Sequence, residues 1–455
     1  MDFTDFLHKG CRGHLIGVGG VSMSPLAEVL CEKGLAISGS DIAESERTSH
    51  LREKGIQVII GQEKENITSD LQFVVRTAAA RDDNPEVAAA REMGIPVFER
   101  TQAWGAIMKE YRNALCISGT HGKTTTTSMC THILMAAEQD PTVMIGGTLP
   151  LLKAGHHVGK GDTIIMESCE YYNSFLSFFP TVAVILNVEE DHLDFFKDIE
   201  DIKHSFRRFA ELVPEDGFIV VNMDDENAMD AVKGLERNIV TFGLTPKADV
   251  YAKNISSNGY STVFDIVHNG RTVETVTIHV PGEHNIKNAL AAAAASLCLG
   301  IKPTAIKYGL AGFSGAGRRF EFKGKYNGAD VYDDYAHHPG EVKALLDAVE
   351  NLGYKRTIVV FQPHTYTRTK ALFGDFVRQL KRPDLVYLAE IFAAREKNTL
   401  GISSADLAEK IEGARFFRTF EEIEDNLRAE AQPGDLILTV GAGNVYKIGE
   451  HLLDK

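Results

Sequence analysis

The segment Ser118-Gly119-Thr120-His121-Gly122-Lys123-Thr124-Thr125-Thr126-Thr127 limits what this chain can fold into more than any other. It follows an apolar run at residues 114–118 and precedes a stretch that reads as a helix beginning near Thr125. A strand that delivers a glycine turn to a helix start belongs in a parallel sheet, with the turn at the strand's carboxyl end. Glycines there let backbone N–H groups turn inward on anionic oxygens, and the helix N-terminus adds favourable partial charge. Lys123 is spaced to reach the β- and γ-phosphates of a nucleoside triphosphate, and the Thr124 hydroxyl to ligate Mg²⁺. On this reading Gly119, Thr120, His121, Gly122, Lys123, Thr124 and Thr125 form a nucleotide loop. Its G-x-x-G-K-T-T spacing is shorter than the common G-x-x-x-x-G-K-[ST]. The bland alternative is a glycine turn before a polar helix start; the ordered succession of strand, turn, lysine and hydroxyl argues against it.

The rest of the chain repeats the same α/β alternation. Short β-branched runs at 14–18, 35–39, 73–75 and 96–98 alternate with helical stretches such as 25–33. A second block carries strands at 114–118, 163–166 and 181–188, an alternating antiparallel section at 250–280, and an alanine-rich helix at 286–299 stopped by Gly300. A third carries strands at 330–332, 356–361, 385–388 and 436–440. With 455 residues and about 150 per domain, the expectation is three domains: 1–106, 107–317 and 318–455. The last boundary rests on Gly315-Ala316-Gly317. The net charge of −15 argues against a broad nucleic-acid surface. Six scattered cysteines without C-x-x-C spacing argue against a zinc framework or disulfides and suit a reducing cytoplasm. The opening residues lack a leader pattern, and the longest apolar run, 289–300, is too short to cross a bilayer.

Candidate site residues collect at strand ends. Glu167 closes the run 163–166, and Glu189-Glu190-Asp191-His192 closes 181–188. Ligands gather at the carboxyl ends of parallel strands, so Glu167 and His192, beside the nucleotide loop, form a candidate metal pair. Asn285 and Asn288 share one helical face; capping by Asn285 and adenine reading through paired amide groups stand as equal alternatives. Arg318-Arg319-Phe320, Asp333-Asp334-Tyr335-Ala336-His337-His338-Pro339 and Phe361-Gln362-Pro363-His364-Thr365-Tyr366-Thr367-Arg368-Thr369 suggest a second half-site that handles negative charge.

Near the start, Gly17-Val18-Gly19-Gly20-Val21-Ser22 follows a strand, and Asp41 lies 24 residues after Gly17. The pattern is close to the dinucleotide fingerprint G-x-G-x-x-G with a later ribose-binding acid, except that Ser22 replaces the third glycine. It predicts phosphate binding more firmly than NAD.

Taken together these segments resemble the Mur ligases over nearly the whole chain. G-T-H-G-K-T-T-T-T is similar to that family's ATP loop, and Gly17-Val18-Gly19-Gly20 with Met23-Ser24 resembles the uridine-diphosphate domain of its alanine-adding branch. The segments 333–339 and 361–369 resemble the third domain of the same branch. The resemblance implies an N-terminal Rossmann-like UDP-binding domain, a central P-loop ATPase-type parallel sheet and a C-terminal Rossmann-like domain that accepts the amino acid. It implies ATP and Mg²⁺ as cofactors, and UDP-N-acetylmuramate and L-alanine as substrates, joined through an acyl phosphate. Carried over by position, Thr124, Glu167 and His192 would hold metal. Asn288 would read adenine, Arg319 would face the phosphates and Asp334 the ribose. Gly17, Gly19, Gly20, Ser22, Met23, Ser24 and Asp41 would hold the sugar nucleotide. His337, His364 and Arg368 would surround the alanine and the transferred phosphate.

The chain departs from the family's pattern in places. Glu167-Ser168-Cys169-Glu170-Tyr171-Tyr172 stands where E-A-D-E-S-D is usual, Thr365 stands where Arg is common, and Lys203 and Arg207 lie where some relatives carry a modified lysine. Other readings are a ligase that adds a peptide or another amino acid to the same nucleotide sugar, an NAD-dependent oxidoreductase built on the N-terminal fingerprint, and a nucleotide sensor without turnover.

Overall fold

The computed structural model describes residues 2–394 and 396–453 and has three sheets. The first contains β1 (Arg12–Ile16), β2 (Ala36–Asp41), β3 (Gln57–Ile60), β4 (Phe73–Arg76) and β5 (Val97–Glu99). They lie in the order β3-β2-β1-β4-β5 and are all parallel. The reversal of order beside β1 opens the crevice in which α/β sheets bind ligands, and the Gly17–Ser22 turn lies there.

The central sheet contains β6 (Asn113–Ser118), β7 (Thr142–Leu149), β8 (Ala154–His157), β9 (Thr163–Glu167), β10 (Val182–Ile185), β11 (Phe218–Asn222), β12 (Asn238–Gly243), β13 (Val250–Ser257), β14 (Thr262–His268) and β15 (Arg271–Ile278). Their order is β15-β14-β13-β12-β11-β10-β6-β9-β7-β8. The stretch from β7 to β13 is parallel, while β14, β15 and β8 pair antiparallel. β6 and β10 are buried along almost their whole length because helices cover both faces, which is why they read as unbroken apolar runs rather than alternations. The third sheet contains β16 (Glu321–Tyr326), β17 (Ala329–Asp334), β18 (Arg356–Phe361), β19 (Leu385–Leu388), β20 (Arg415–Phe416) and β21 (Asp435–Val440), in the order β16-β17-β21-β18-β19-β20 with only β16 antiparallel.

The α/β reading and most of the expected strands are reproduced, with shifts of a few residues. The expected strand 181–188 is a strand only over Val182–Ile185, with flanking backbone bonds at Thr181 and Leu186, so Glu189–His192 sit on a loop beyond the ladder. The helix after the nucleotide loop is Lys123–Ala136, two residues earlier than expected, because Gly122 at φ +83° makes the turn directly before it. The alanine-rich helix is Glu283–Cys298, preceded by Gly282. Asn285 therefore sits inside its first turn and is not the cap.

Side-chain packing divides the molecule unevenly. One continuous apolar cluster runs from Phe3, Leu15 and Trp104 of the first sheet's domain into Phe175, Phe206 and Phe209 against the central sheet. Gly105 lies so close to the Ser177 carbonyl that a Cβ there would fall 2.0 Å from it. The third sheet has its own clusters on its two faces. Its contacts with the central domain are mainly polar, as at Arg368–Asp191 and His338–Glu190. Among the described residues no helix is long and apolar enough to cross a membrane, and all six cysteines are free.

Candidate active site

β6 ends at the glycine turn, and the turn is held from the neighbouring strand's loop. The His121 N–H donates to Asn187 Oδ1 at 2.7 Å, and Asn187 Nδ2 donates back to the His121 carbonyl at 3.1 Å. Thr120 and Glu189 exchange hydrogen bonds through the Thr120 hydroxyl. Gly122 is required twice over: its φ is left-handed, and a Cβ would come within 2.6 Å of Asn288 Oδ1. Asn288 Nδ2 donates to Asn285 Oδ1 at 3.2 Å, and Asn285 donates to the Pro281 carbonyl at 2.6 Å. Asn285 thus orients Asn288 against the loop.

Lys123 folds back over this turn. Its ammonium donates to the Thr120 carbonyl at 3.1 Å and pairs with Glu170 at 3.1 Å, where the Glu170 side chain is only 3% exposed. Burial would lower the lysine's pKa, but the carboxylates, Glu170 first, outweigh it and raise it. Thr124 Oγ1 donates to Glu167 Oε1 at 3.1 Å, and Gly146 N–H donates to Glu167 Oε2 at 2.7 Å. Thr124 and Glu167 are hard oxygen donors side by side, a set that suits Mg²⁺.

Glu167 and His192, the expected metal pair, make no direct contact with each other among the described residues. His192 Nε2 lies 3.8 Å from Glu170, and a ligand atom from each of Cys169, Glu170 and His192 lies within 4.8 Å of the others. Two acids stand equally close to His192 Nε2, Glu170 and Asp191, each at 3.8 Å, and Glu170 also binds Lys123. His192 adopts a left-handed backbone (φ +53°), its N–H held by Asp191 Oδ1 at 2.7 Å and its ring stacked on Tyr171 at 4.2 Å. Burial lowers its pKa, so the neutral imidazole is favoured.

A cleft between the central and third domains is lined by His121, Gly122, Thr125, Asn288, Arg319 and Asp334, which come from separate parts of the sequence; Gly119, Thr120, Lys123 and Thr124 of the expected ATP set do not line it. Arg319 is projected by neighbours that are both in left-handed conformation, Arg318 at φ +59° and Phe320 at φ +48°. Arg318 is clamped on Asp333 (2.8 Å) and the Gly441 carbonyl (2.6 Å), and the Phe320 N–H donates to Asp334 Oδ2 at 2.7 Å. Burial pushes the Asp334 carboxyl up to about 6, against the pull of Arg319 and two backbone amides.

A second pocket, also at the domain boundary, is lined by Asp191, His192, Thr365, Thr367 and Arg368. Arg368 reaches across to Asp191 and donates to its own His364 carbonyl at 3.1 Å. His337 and His364 rings lie 5.6 Å apart, and burial lowers each to about 4. His337 Nδ1 faces the Tyr335 carbonyl at 3.0 Å, which leaves Nε2 as the acceptor nitrogen. Thr365 pairs with the Thr367 hydroxyl at 3.1 Å and adds no charge to this pocket.

In the first domain Gly17 has φ +79°, and Asp41 accepts from the Gly19 N–H at 2.8 Å, so the acid braces the glycine turn. Ser22 is tied to Arg100 through its hydroxyl and to Trp104 Nε1 through its carbonyl at 3.2 Å. Met23 and Ser24, expected to contact the sugar nucleotide, are buried in the first helical turn, with both N–H groups donating to Gly20 O at 3.0 Å and Met23 packed in the core. Both bonds hold the start of the helix on the glycine turn. Lys203 pairs with Glu200 and Asp230, and Arg207 pairs with Glu211 and donates to the Lys233 carbonyl.

Sequence reasoning missed Glu170, Arg100 and Glu341. Glu170 was visible as a second acid, but its bond to Lys123 depends on β6 and β9 being adjacent. Glu341 carried no signal, since an acid at the third position of a helix reads as ordinary capping.

The chain matches the Mur ligase family's catalytic domain over residues 12–112, the Mur ligase middle domain over 117–296 and the Mur ligase glutamate ligase domain over 318–443. It is 46% identical over 458 residues to a UDP-N-acetylmuramate–L-alanine ligase of Clostridium novyi, covering 100% of both chains. It is 48% identical over 460 residues to the protein of that name from Agathobacter rectalis, covering 100% of this chain and 99% of that one. Among solved structures it is similar to a UDP-N-acetylmuramate-alanine ligase from Thermotoga maritima, with a TM-score of 0.81, 27% identity and coverage of 97% and 98%. Three consecutive matches along the chain, relatives of equal length and a shared arrangement of three sheets have one explanation: the chain belongs to the Mur ligase family.

Proposed function

We propose that this protein joins L-alanine to the lactyl carboxylate of UDP-N-acetylmuramate, using ATP, in peptidoglycan precursor synthesis in the cytoplasm. The observation that carries the reading is full-length similarity, at 46–48% identity, to relatives of that name. The interdomain cleft that unites Gly122, Asn288, Arg319 and Asp334 supports it.

A carboxylate acylates poorly until one of its oxygens becomes part of a leaving group. The lactyl carboxylate attacks the γ-phosphorus of ATP, giving an acyl phosphate and ADP. The alanine amine then attacks the acyl carbon, and inorganic phosphate departs. Bringing two anions together needs positive charge aimed at the transferring group. Lys123 supplies it from the central domain and Arg319 from the third, and Arg368 supplies it at the second pocket. Thr124 and Glu167 would hold Mg²⁺, with His192 at its margin; bound there, the ion would neutralise phosphate charge. Asn288 reads adenine through its amide, and Asp334 hydrogen-bonds the ribose. Gly17, Gly19 and Gly20 let the first domain's backbone approach the uridine diphosphate, while Asp41 and Ser22 fix that turn. His337 and His364 border the place where the amine enters.

The deciding experiment measures phosphate release from ATP with UDP-N-acetylmuramate, Mg²⁺ and single amino acids. Release that depends on both the sugar nucleotide and alanine is expected. Release stimulated by a tripeptide and not by alanine would assign the protein to the peptide-adding branch instead.

A further inference from the structure

We infer that His121, Glu189 and His338 form a three-ligand site for a zinc-like divalent cation at the edge of the nucleotide cleft, separate from the Thr124–Glu167 pair. One ligand atom from each of the three lies within 4.8 Å of the other two. His121 Nε2 and Glu189 Oε2 are 3.4 Å apart. Donors about 2.0–2.1 Å from a tetrahedral metal stand roughly 3.3 Å from one another, so this edge already has the right length.

The space between them is real. Gly340 faces it, and the position of a Cβ on Gly340 lies 3.0 Å from Glu189 Oε2, 3.4 Å from His121 Nε2 and 3.4 Å from His338 Nδ1. The three donors surround the volume that a side chain at position 340 would fill. His121 Nε2 is buried and makes no aligned hydrogen bond among the described residues.

Both imidazoles are oriented as metal ligands are, each with its other nitrogen engaged by an acceptor. Glu341 Oε1 lies 3.4 Å from His121 Nδ1 and Glu189 Oε2 3.4 Å from Nε2, so without a cation the ring is a protonated bridge between two carboxylates, and a bound cation would take the place of the Nε2 proton on the gap side. His338 Nε2 donates to the Glu190 carbonyl at 3.1 Å, which leaves its Nδ1 lone pair on the gap side, where it now accepts the Gly340 N–H at 3.2 Å. Two imidazoles and a carboxylate favour zinc-like ions, whereas Mg²⁺ prefers oxygen donors and retained water. A fourth position remains open, and His121, Glu189, Gly340 and Glu341 all line the nucleotide cleft, so it opens onto that cleft. Because His121 and Glu189 belong to the central domain and His338 to the third, a cation here ties the nucleotide loop to the domain that closes over it.

The test is a competition between the full-length, metal-stripped protein and a chromophoric zinc chelator, in excess Mg²⁺ so that oxygen sites are filled. It needs no ligase turnover, so its failure is distinct from failure of the proposed activity. One Zn²⁺ per chain is expected. Glu189→Gln, which alters a half-exposed side chain, and Gly340→Ala, which fills the gap while leaving all three ligand residues in the chain, should each weaken it at least ~10-fold. Cys169→Ser should leave it unchanged. Unaltered affinity in Glu189→Gln and Gly340→Ala overturns the assignment, as does loss of zinc in Cys169→Ser alone, which would put the ion on Cys169, Glu170 and His192.

Discussion

Arg368 of the third domain holds Asp191 of the central domain through two hydrogen bonds to one oxygen, from Nε at 3.1 Å and Nη2 at 2.9 Å. Both side chains are about nine-tenths buried. Burial by itself would raise the aspartate's pKa, but the guanidinium lowers it well below the usual range. The pair spans the boundary between the central and third domains, and it links the third domain to the loop that carries His192.

Removing one partner strands the other's charge in a poorly solvated place. Arg368→Ala or Asp191→Ala should each destabilise the closed arrangement by about 3 kcal/mol, and the double variant should cost much less than the sum. A double-mutant cycle on unfolding, with interdomain distance followed by small-angle scattering, checks this. Additive effects would mean that the bridge does not couple the domains.

Lys123→Ala should lower phosphate release by at least about 10²-fold, because it removes charge aimed at the transferring group. It should also destabilise the fold, since Glu170 is buried and loses its partner. Lys123→Ala combined with Glu170→Gln should recover stability without recovering rate. Turnover returning together with stability would assign Lys123 a purely structural part.

His192→Ala should raise the Mg²⁺ concentration that gives half-maximal rate. Its ring faces Glu170 and stacks on Tyr171, so the change should spare thermal stability more than Lys123→Ala does. A Mg²⁺ dependence identical to that of the unaltered protein would confine His192 to holding its loop.

Acid should loosen the third domain early. His337 and His364 are lowered by burial to about 4, from an ordinary value near 6.5. Between those limits the unfolded chain binds more protons than the folded one, so stability rises with pH and is lost as pH falls through the window. Each group should contribute on the order of 2 kcal/mol across it. Amide exchange at β18, followed from pH 7 to pH 4.5, should quicken less steeply in His337→Gln and His364→Gln than in the unaltered chain. Parallel profiles would show that neither histidine is held neutral by the fold.

Trp104 is the chain's single tryptophan, and its indole N–H donates to the Ser22 carbonyl of the first domain's glycine turn. Uridine diphosphate should therefore shift its emission, and NADH should not bind tightly enough to do so. Calorimetric binding of the diphosphate with an unchanged spectrum would uncouple the turn from Trp104.

The primary sequence by itself determined the α/β class and the glycine turn that joins β6 to the helix after it. Those signals are local: an apolar run buried on both faces, a glycine forced to φ +83° before a helix, and a lysine and hydroxyl in the next two positions. Gly122, Lys123 and Thr124 were legible for that reason. Only the tertiary structure decided which distant groups meet. Glu167 meets Thr124, while His192 lies beside Glu170 and Asp191, because β9 lies beside β6 and the loop after β10 swings past the end of its ladder. Met23 turned inward because its helical turn must cover the first domain's core. The Arg368–Asp191 bridge and the gathering of His121, Glu189 and His338 around Gly340 join residues up to 217 positions apart (338 − 121). Spacing along a chain carries no information about such pairs. They exist because two separately packed cores present polar faces to each other, and buried charge is tolerated there only where it finds its opposite.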